Sequence, residues 1–336
     1  MIEENHWHPV AFCEYLAEQP LAVTLLGRAV VLWRDASGAA HAWADQCPHR
    51  GAKLSMGKIA GNRLECPYHG WAFAPSGQCV RIPALPSFEP LATHCAKTFQ
   101  ACERHGLIWV RMASSASGDA QVLPEFPVFK AEADAQLRKL NCGPYDVAAS
   151  APRIVENFLD MAHFAYVHEG WLGSRDATAI DGYLVEALPT GLRATQCKAW
   201  QPRSSVHSTA IAQVEYTYEV TAPYAAVLTK VPDPLSLSPG AATGGYRESI
   251  ALFICPLGPE SSRVWFRLAV ADFESTDDKL RQFQHTIFLQ DKPVLESQMP
   301  KRLPLDLRDE LHTTADRASS VYRRHLKDLS ITFGVC

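Results

Sequence analysis

Apolar and polar positions alternate strictly along Val214-Glu-Tyr-Thr-Tyr-Glu-Val220, which predicts a strand with one buried face. Ser249–Ile254 and Val264–Val270 carry comparable apolar runs and are predicted strands too. In the first third, the short apolar runs AVTLL and AVVLW are separated by turn signals at Gly27-Arg28, Asp35-Ala-Ser-Gly38 and Pro75-Ser-Gly77. GLIWVRM, from Gly106 to Met112, reads as a buried strand, so this third is predicted to be all-β. The period then changes. RIVENFLDMAHFAYVH (Arg153–His168) has helical spacing and lacks Gly and Pro, and Asp277–Gln290 and Ala315–Leu329 also read as helices. Strands followed by terminal helices predict an α+β domain, one antiparallel sheet with helices packed on it.

Between the two patterns lies ASSASGDAQVLPEFP (Ala113–Pro127), small, polar and Pro-containing. Such a composition marks a linker, and the chain of 336 residues is long enough for two cores. The expected division is a first domain at 1–118, a linker at 119–145 and a second domain at 146–336. With 47% hydrophobic and 20% charged residues the chain reads as a soluble globular protein. A net charge of −4 lacks the basic footprint of a nucleic-acid binder. Ten scattered cysteines in a chain this large read as reduced thiols of a cytoplasmic protein. No signal peptide is expected in MIEENHWHPVAF, and no apolar stretch reaches the ~20 residues of a membrane span.

The chemistry concentrates first in CPHRGAKLSMGKIAGNRLECPYHGW (Cys47–Trp71), where Cys47 and His49 are followed by Cys66 and His69. One Cys/His pair is ordinary packing, but two matched pairs point to a metal. A structural zinc site uses the same donors, although its paired ligands are usually spaced by two or more residues. The remaining choice is a [2Fe–2S] cluster with two His in place of two Cys on one iron, whose reduced negative charge raises the potential. The stretch resembles the Rieske family at Cys47, His49, Cys66 and His69, with Gly51 and Gly70-Trp71 in their usual places. Respiratory Rieske proteins add a disulfide between the loops. Ala52 and Tyr68 stand at those positions here, so the resemblance is to the oxygenase and ferredoxin branch.

A second constellation, Asn157-Phe-Leu-Asp160-Met-Ala-His163-Phe-Ala-Tyr-Val-His168, extends the resemblance to the oxygenase component of Rieske non-haem iron oxygenases. Two His and one carboxylate with open positions suit non-haem Fe(II). Because His163 and His168 are five apart, the helix is expected to loosen or end between them. Asp160 precedes His163 by three and is expected on the same helix face, where a carboxylate can hold an imidazole N–H. The resemblance makes His163 and His168 iron ligands, Asp160 the bridge to a neighbouring subunit's Rieske histidine, and Asn157 a polar residue close to the iron. It also makes Asp291 the third ligand, with Glu296 a competitor in FLQDKPVLESQ, and Pro293 is expected to break or kink the helix just after Asp291.

The resemblance further implies a helix-grip catalytic domain, a curved antiparallel sheet wrapped on a long helix, and head-to-tail homotrimers. Electrons from a separate reductase, with or without an intervening ferredoxin, would pass from the cluster by His49 or His69 and Asp160 to the iron, with O2 as co-substrate. No Gly-x-Gly-x-x-Gly and no plant-type cysteine run occurs, so NAD(P)H would be used by that partner. The chain looks most like the homomeric branch with vanillate- and dicamba-type O-demethylases and caffeine-type N-demethylases. The expected reaction is monooxygenation of a small aromatic or heteroaromatic substrate, by N- or O-demethylation with formaldehyde release. Ring hydroxylation and cis-dihydroxylation by a dioxygenase are the alternatives, and a Rieske electron-transfer protein is the non-enzyme alternative. Gln284, Ile287 and Phe288 share a helix face with Asp291 and are candidate substrate contacts, with Phe164 and Val167 as further wall. A polar contact from residues 200–270 is expected from Ser, Thr, His207, Gln213, Tyr or Arg.

Overall fold

The computed structural model describes residues 1–113, 124–203, 211–232 and 247–336. The chain divides into two compact units, Glu3–Glu125 and Phe126–Cys336. Most of the expected linker Ala113–Pro127 lies outside the described residues. Of the expected linker span 119–145, residues 138–145 belong to the strand Arg138–Val147 of the second unit.

In the first unit the strands are β1 (His8–Phe12), β2 (Leu21–Leu25), β3 (Arg28–Arg34), β4 (Ala40–Ala44), β5 (Lys58–Ile59), β6 (Leu64–Glu65), β7 (Ala72–Phe73), β8 (Cys79–Arg81), β9 (Thr98–Arg104) and β10 (Leu107–Arg111). They form a six-stranded sheet in the order β1-β10-β9-β4-β3-β2 and a small sheet β5-β6-β7-β8. The apolar runs read from the sequence supply β2, β3 and β10, and Val30–Trp33 and Leu107–Val110 are wholly buried. Trp33 and Trp43 meet edge to face at 5.0 Å, and their cluster also takes in Leu54, Leu64, Phe73, Cys47 and Cys66. The cysteines of the Cys/His pairs are thus anchored in core, while the loops that follow them reach the surface.

In the second unit β11 (Arg138–Val147), β12 (Leu184–Leu188), β13 (Gly191–Gln201), β14 (Ala212–Ala222), β15 (Ala225–Pro232), β16 (Glu248–Gly258) and β17 (Ser261–Val270) form one antiparallel sheet, ordered β11-β17-β16-β15-β14-β13-β12. The alternation at Val214–Val220 is real: Val214, Tyr216, Tyr218 and Val220 are buried on one face. Onto that face pack α1 (Ala151–Leu159), α3 (Asp277–Ser297) and α4 (Arg317–Asp328), and a single turn α2 (Phe164–Val167) follows α1.

Two helices differ from the sequence expectation. The segment 153–168 breaks before His163, and not between the two histidines: α1 ends at Leu159 and Asp160 is extended (φ −88°, ψ 139°). The Asp160 carboxylate competes for backbone N–H groups, accepting from Ala162 N at 2.8 Å, which favours a turn over continued helix. Pro293 does not end α3, which continues to Ser297. Burial of Leu295 in the core, and of Asp291 and Phe288 before it, outweighs the one backbone hydrogen bond a proline removes.

Candidate active site

The two Cys/His loops of the first unit repeat one another. Cys47 N–H donates to Ala52 O at 2.8 Å and Gly51 N–H to Cys47 O at 2.9 Å. Cys66 N–H donates to Trp71 O at 2.8 Å and Gly70 N–H to Cys66 O at 3.1 Å. Both turns need a residue with positive φ four places after the cysteine, and Gly51 (+73°) and Gly70 (+68°) supply it. The first loop is tied by Asp45, which accepts from Ser55 N–H and Oγ, each at 2.7 Å. The His49 and His69 rings stand 4.6 Å apart, and Trp71 stacks on His49 at 4.5 Å.

These residues fit an iron–sulfur cluster. Both thiols are buried and free of disulfide. Burial, with the nearby Cys66 thiol, pushes Cys47 up to about 11, which marks the two thiols as close neighbours in an apolar setting. His49 Nδ1 is buried without a hydrogen-bond partner, as a ligand atom would be before its metal arrives.

The second candidate centre lies in the second unit. His163 stands at the start of α2 and His168 at its end, so the turn between them faces both rings inward. Gly173 packs against this turn. A Cβ there would fall 2.5 Å from the backbone of Phe164, so only glycine fits. His163 Nε2 and His168 Nε2 are 3.2 Å apart, and Asp291 Oδ1 lies 3.4 and 3.2 Å from them. Each ring turns its other nitrogen outward. His163 Nδ1–H donates to Asp160 Oδ2 at 3.0 Å, and His168 Nδ1–H donates to Gln290 Oε1 at 2.8 Å. Both Nε2 atoms and a carboxylate oxygen therefore converge while each Nδ1 is engaged elsewhere, an arrangement that suits a cation. Two imidazoles and one carboxylate match the donor set of non-haem Fe(II).

The surroundings separate the candidates further. Asn157 Nδ2 lies 3.5 Å from Asp291 Oδ1. Glu296 points elsewhere: it accepts from Lys292 Nζ at 2.6 Å and from Ala148 N–H at 2.9 Å. Asp160 reaches His163 from an extended residue and not from a shared helix face. Burial works against its charge, but the His163 and backbone hydrogen bonds outweigh this and hold its carboxyl below the usual range.

A cavity opens from the His163–His168–Asp291 group between sheet and α3. Phe164, Gln284, Ile287 and Phe288 line it, with Ile250, Leu252 and Phe266 from the sheet. Val167 is half-buried and does not line it. Among the residues named for 200–270, Tyr216 and Tyr218 line the cavity, Gln213 does not, and His207 lies outside the described residues. Lys230 lines it as well, and sequence reasoning missed it because a lone lysine in a strand reads as surface. Gln290 was missed too: it adjoins Asp291 but faces His168, a relation visible only in three dimensions.

Two families match. Residues 6–100 match the Rieske [2Fe-2S] domain, and residues 147–330 the Vanillate O-demethylase oxygenase C-terminal domain. The chain thus belongs to the Rieske non-haem iron oxygenases, as an oxygenase component, and is an oxidoreductase. It is 31% identical to Methylxanthine N1-demethylase NdmA of Pseudomonas putida over 97% of this chain and 88% of that protein. It is 29% identical to Methylxanthine N3-demethylase NdmB of the same species over 98% and 90%. The solved structure of Pseudomonas putida CBB5 NdmA with caffeine aligns over 97% of this chain and 90% of that chain, at 30% identity and a TM-score of 0.82. A structure of dicamba monooxygenase bound to dicamba shares the fold, with a TM-score of 0.79 at 23% identity. A stretch of 126 residues is also 36% identical to Oxidoreductase NdmD of Pseudomonas putida, covering 21% of that protein. Among the described residues, no helix is long and apolar enough to cross a membrane.

Proposed function

We propose that this oxygenase component removes a methyl group from nitrogen or oxygen of a planar, mainly apolar ring substrate, releasing formaldehyde. The observation that carries this reading is the meeting of His163 Nε2, His168 Nε2 and Asp291 Oδ1 at the end of an apolar cavity. The demethylases to which most of the chain is similar support the choice of bond. In balance, the methyl C–H is hydroxylated, and the carbon–heteroatom bond then breaks to give the free amine or phenol and formaldehyde. Of the two O2 atoms, one leaves in formaldehyde and one in water, with two electrons and two protons consumed.

His163, His168 and Asp291 would hold Fe(II), and Cys47, His49, Cys66 and His69 the [2Fe–2S] cluster. When bound, the iron supplies O2-dependent oxidation of the methyl carbon. The chain's own residues do the rest. Asp160 and Gln290 fix the orientation of both rings through Nδ1 and leave Nε2 facing Asp291. Phe164, Ile287 and Phe288 hold the ring face and keep water from the reacting carbon, and Asn157 of α1, beside Asp291, and Gln284 of α3 add polar contacts. Asp160, partly exposed beside His163, is the residue we assign to join this site to a cluster histidine of a neighbouring copy in a cytoplasmic homotrimer. Electrons come from NAD(P)H through a separate reductase. Ten free cysteines accord with a reducing compartment.

The test is a single turnover of the reduced, iron-loaded protein with matched N-methyl, O-methyl and unsubstituted aromatics. Formaldehyde in proportion to substrate consumed is the expected result. A ring diol or phenol without formaldehyde would assign hydroxylation instead.

A further inference from the structure

On its sheet side, the apolar cavity meets a polar row. Tyr216, Lys230 and Glu248 are register neighbours on β14, β15 and β16. All three are buried, and Lys230 is only 4% exposed. Lys230 Nζ donates to Glu248 Oε2 at 2.5 Å and sits 5.8 Å from the centre of the Phe283 ring. Tyr216 Oη accepts from Gln201 Nε2, which leaves its own hydrogen to donate. Both Tyr216 and Lys230 line the cavity. Burial pushes the Tyr216 phenol up, so it stays a donor.

We infer that Lys230, with Tyr216 beside it, is a specificity-determining donor pair that binds an uncharged oxygen acceptor on the substrate, at the end opposite the methyl group that is oxidised. This deepens the demethylation reading and rests on it for the orientation. The charge balance selects the acceptor. A lysine Nζ paired with a buried carboxylate offers its further N–H groups beside a negative partner. A carboxylate ligand would face Glu248 across a poorly screened interior, whereas a carbonyl oxygen would not. The spacing also fits. From Phe283, beside Lys230, to Asp291 is eight residues of α3, roughly 12 Å at the helical rise. A para-substituted benzene spans most of that length, with its methyl carbon toward Asp291 and its acceptor toward Lys230.

Three matched probes test this by equilibrium binding to the iron-loaded wild type without reductant. They are 4-(dimethylamino)acetophenone, its 4-ethyl-N,N-dimethylaniline analogue, and 4-(dimethylamino)benzoate. The ketone should bind about tenfold or more tightly than the ethyl analogue, and the benzoate no more tightly than the ethyl analogue. In Lys230→Met/Glu248→Gln, which leaves no lone buried charge, the ketone preference should fall to within about twofold, and Tyr216→Phe should lie between. Iron content and thermal midpoint show whether each variant is folded, and the wild-type comparison decides even if the double variant is not. Equal wild-type affinity for ketone and ethyl probes, or a preference that survives in the folded double variant, overturns the inference. Tighter binding of the benzoate overturns the uncharged acceptor. Because no turnover is involved, a binding preference without formaldehyde release would sink the demethylation reading and leave the donor pair standing.

Discussion

Cys47, His49, Cys66 and His69 come from two short loops that repeat the same pair of backbone hydrogen bonds, from cysteine to fifth residue and from glycine back to cysteine. The His163–His168–Asp291 group is assembled otherwise, from one turn after α1 and a position late in α3 that is remote in sequence. In the loops, local chain geometry places the donors, and the core holds only Cys47 and Cys66. In the second site, packing of α1, α2 and α3 places the donors, and hydrogen bonds from Asp160 and Gln290 orient them. A centre built locally tolerates change elsewhere; one built by packing depends on residues that touch no metal.

That contrast can be broken in order of size. Asp291→Ala should abolish turnover while the red-brown colour of the cluster stays, and Cys47→Ser should remove both; absorption spectra read beside activity decide it. Loss of colour in Asp291→Ala would mean that the two regions are not independently built. Asp160→Asn comes next. It should leave both metals bound and stop steady-state turnover, and near-normal rates would remove Asp160 from the electron path. Gln290→Leu takes away the acceptor that fixes His168 and should cost about 10–100-fold in iron affinity or activity. A chelator titration measures it, and unchanged affinity would make the hydrogen bond incidental. Glu296→Ala is the smallest. It should leave iron content unchanged and lower stability by about 1–2 kcal/mol, since it removes a partly exposed ion pair with Lys292 and the acceptor of Ala148 N–H. Loss of iron in that variant would return Glu296 to the ligand set.

The same contrast explains what could be read without coordinates. The repeated turns of the two Cys/His loops were legible because their cysteines, histidines and glycines are close in sequence. The strands β3, β10 and β14 were legible because each buries one face or both, and β2 because its apolar residues alternate with exposed ones. Gln284, Ile287 and Phe288 followed from helical spacing to Asp291 and do line the cavity. The break at Asp160 was misplaced because it depends on a side chain capping the Ala162 N–H, which no periodicity records. Pro293 does not break α3 because Leu295 beyond it is buried, a tertiary fact that the sequence does not record. Lys230 and Gln290 gave no signal, since their partners, Glu248 and His168, are neighbours only in the folded sheet and helix.

The central claim is that one chain builds both centres. Iron analysis of the wild-type protein, reconstituted anaerobically and desalted, tests it most directly. The account predicts about three irons per chain, two in the cluster and one held by His163, His168 and Asp291. Two irons per chain, all of them in the cluster, would contradict it and leave the chain an electron carrier.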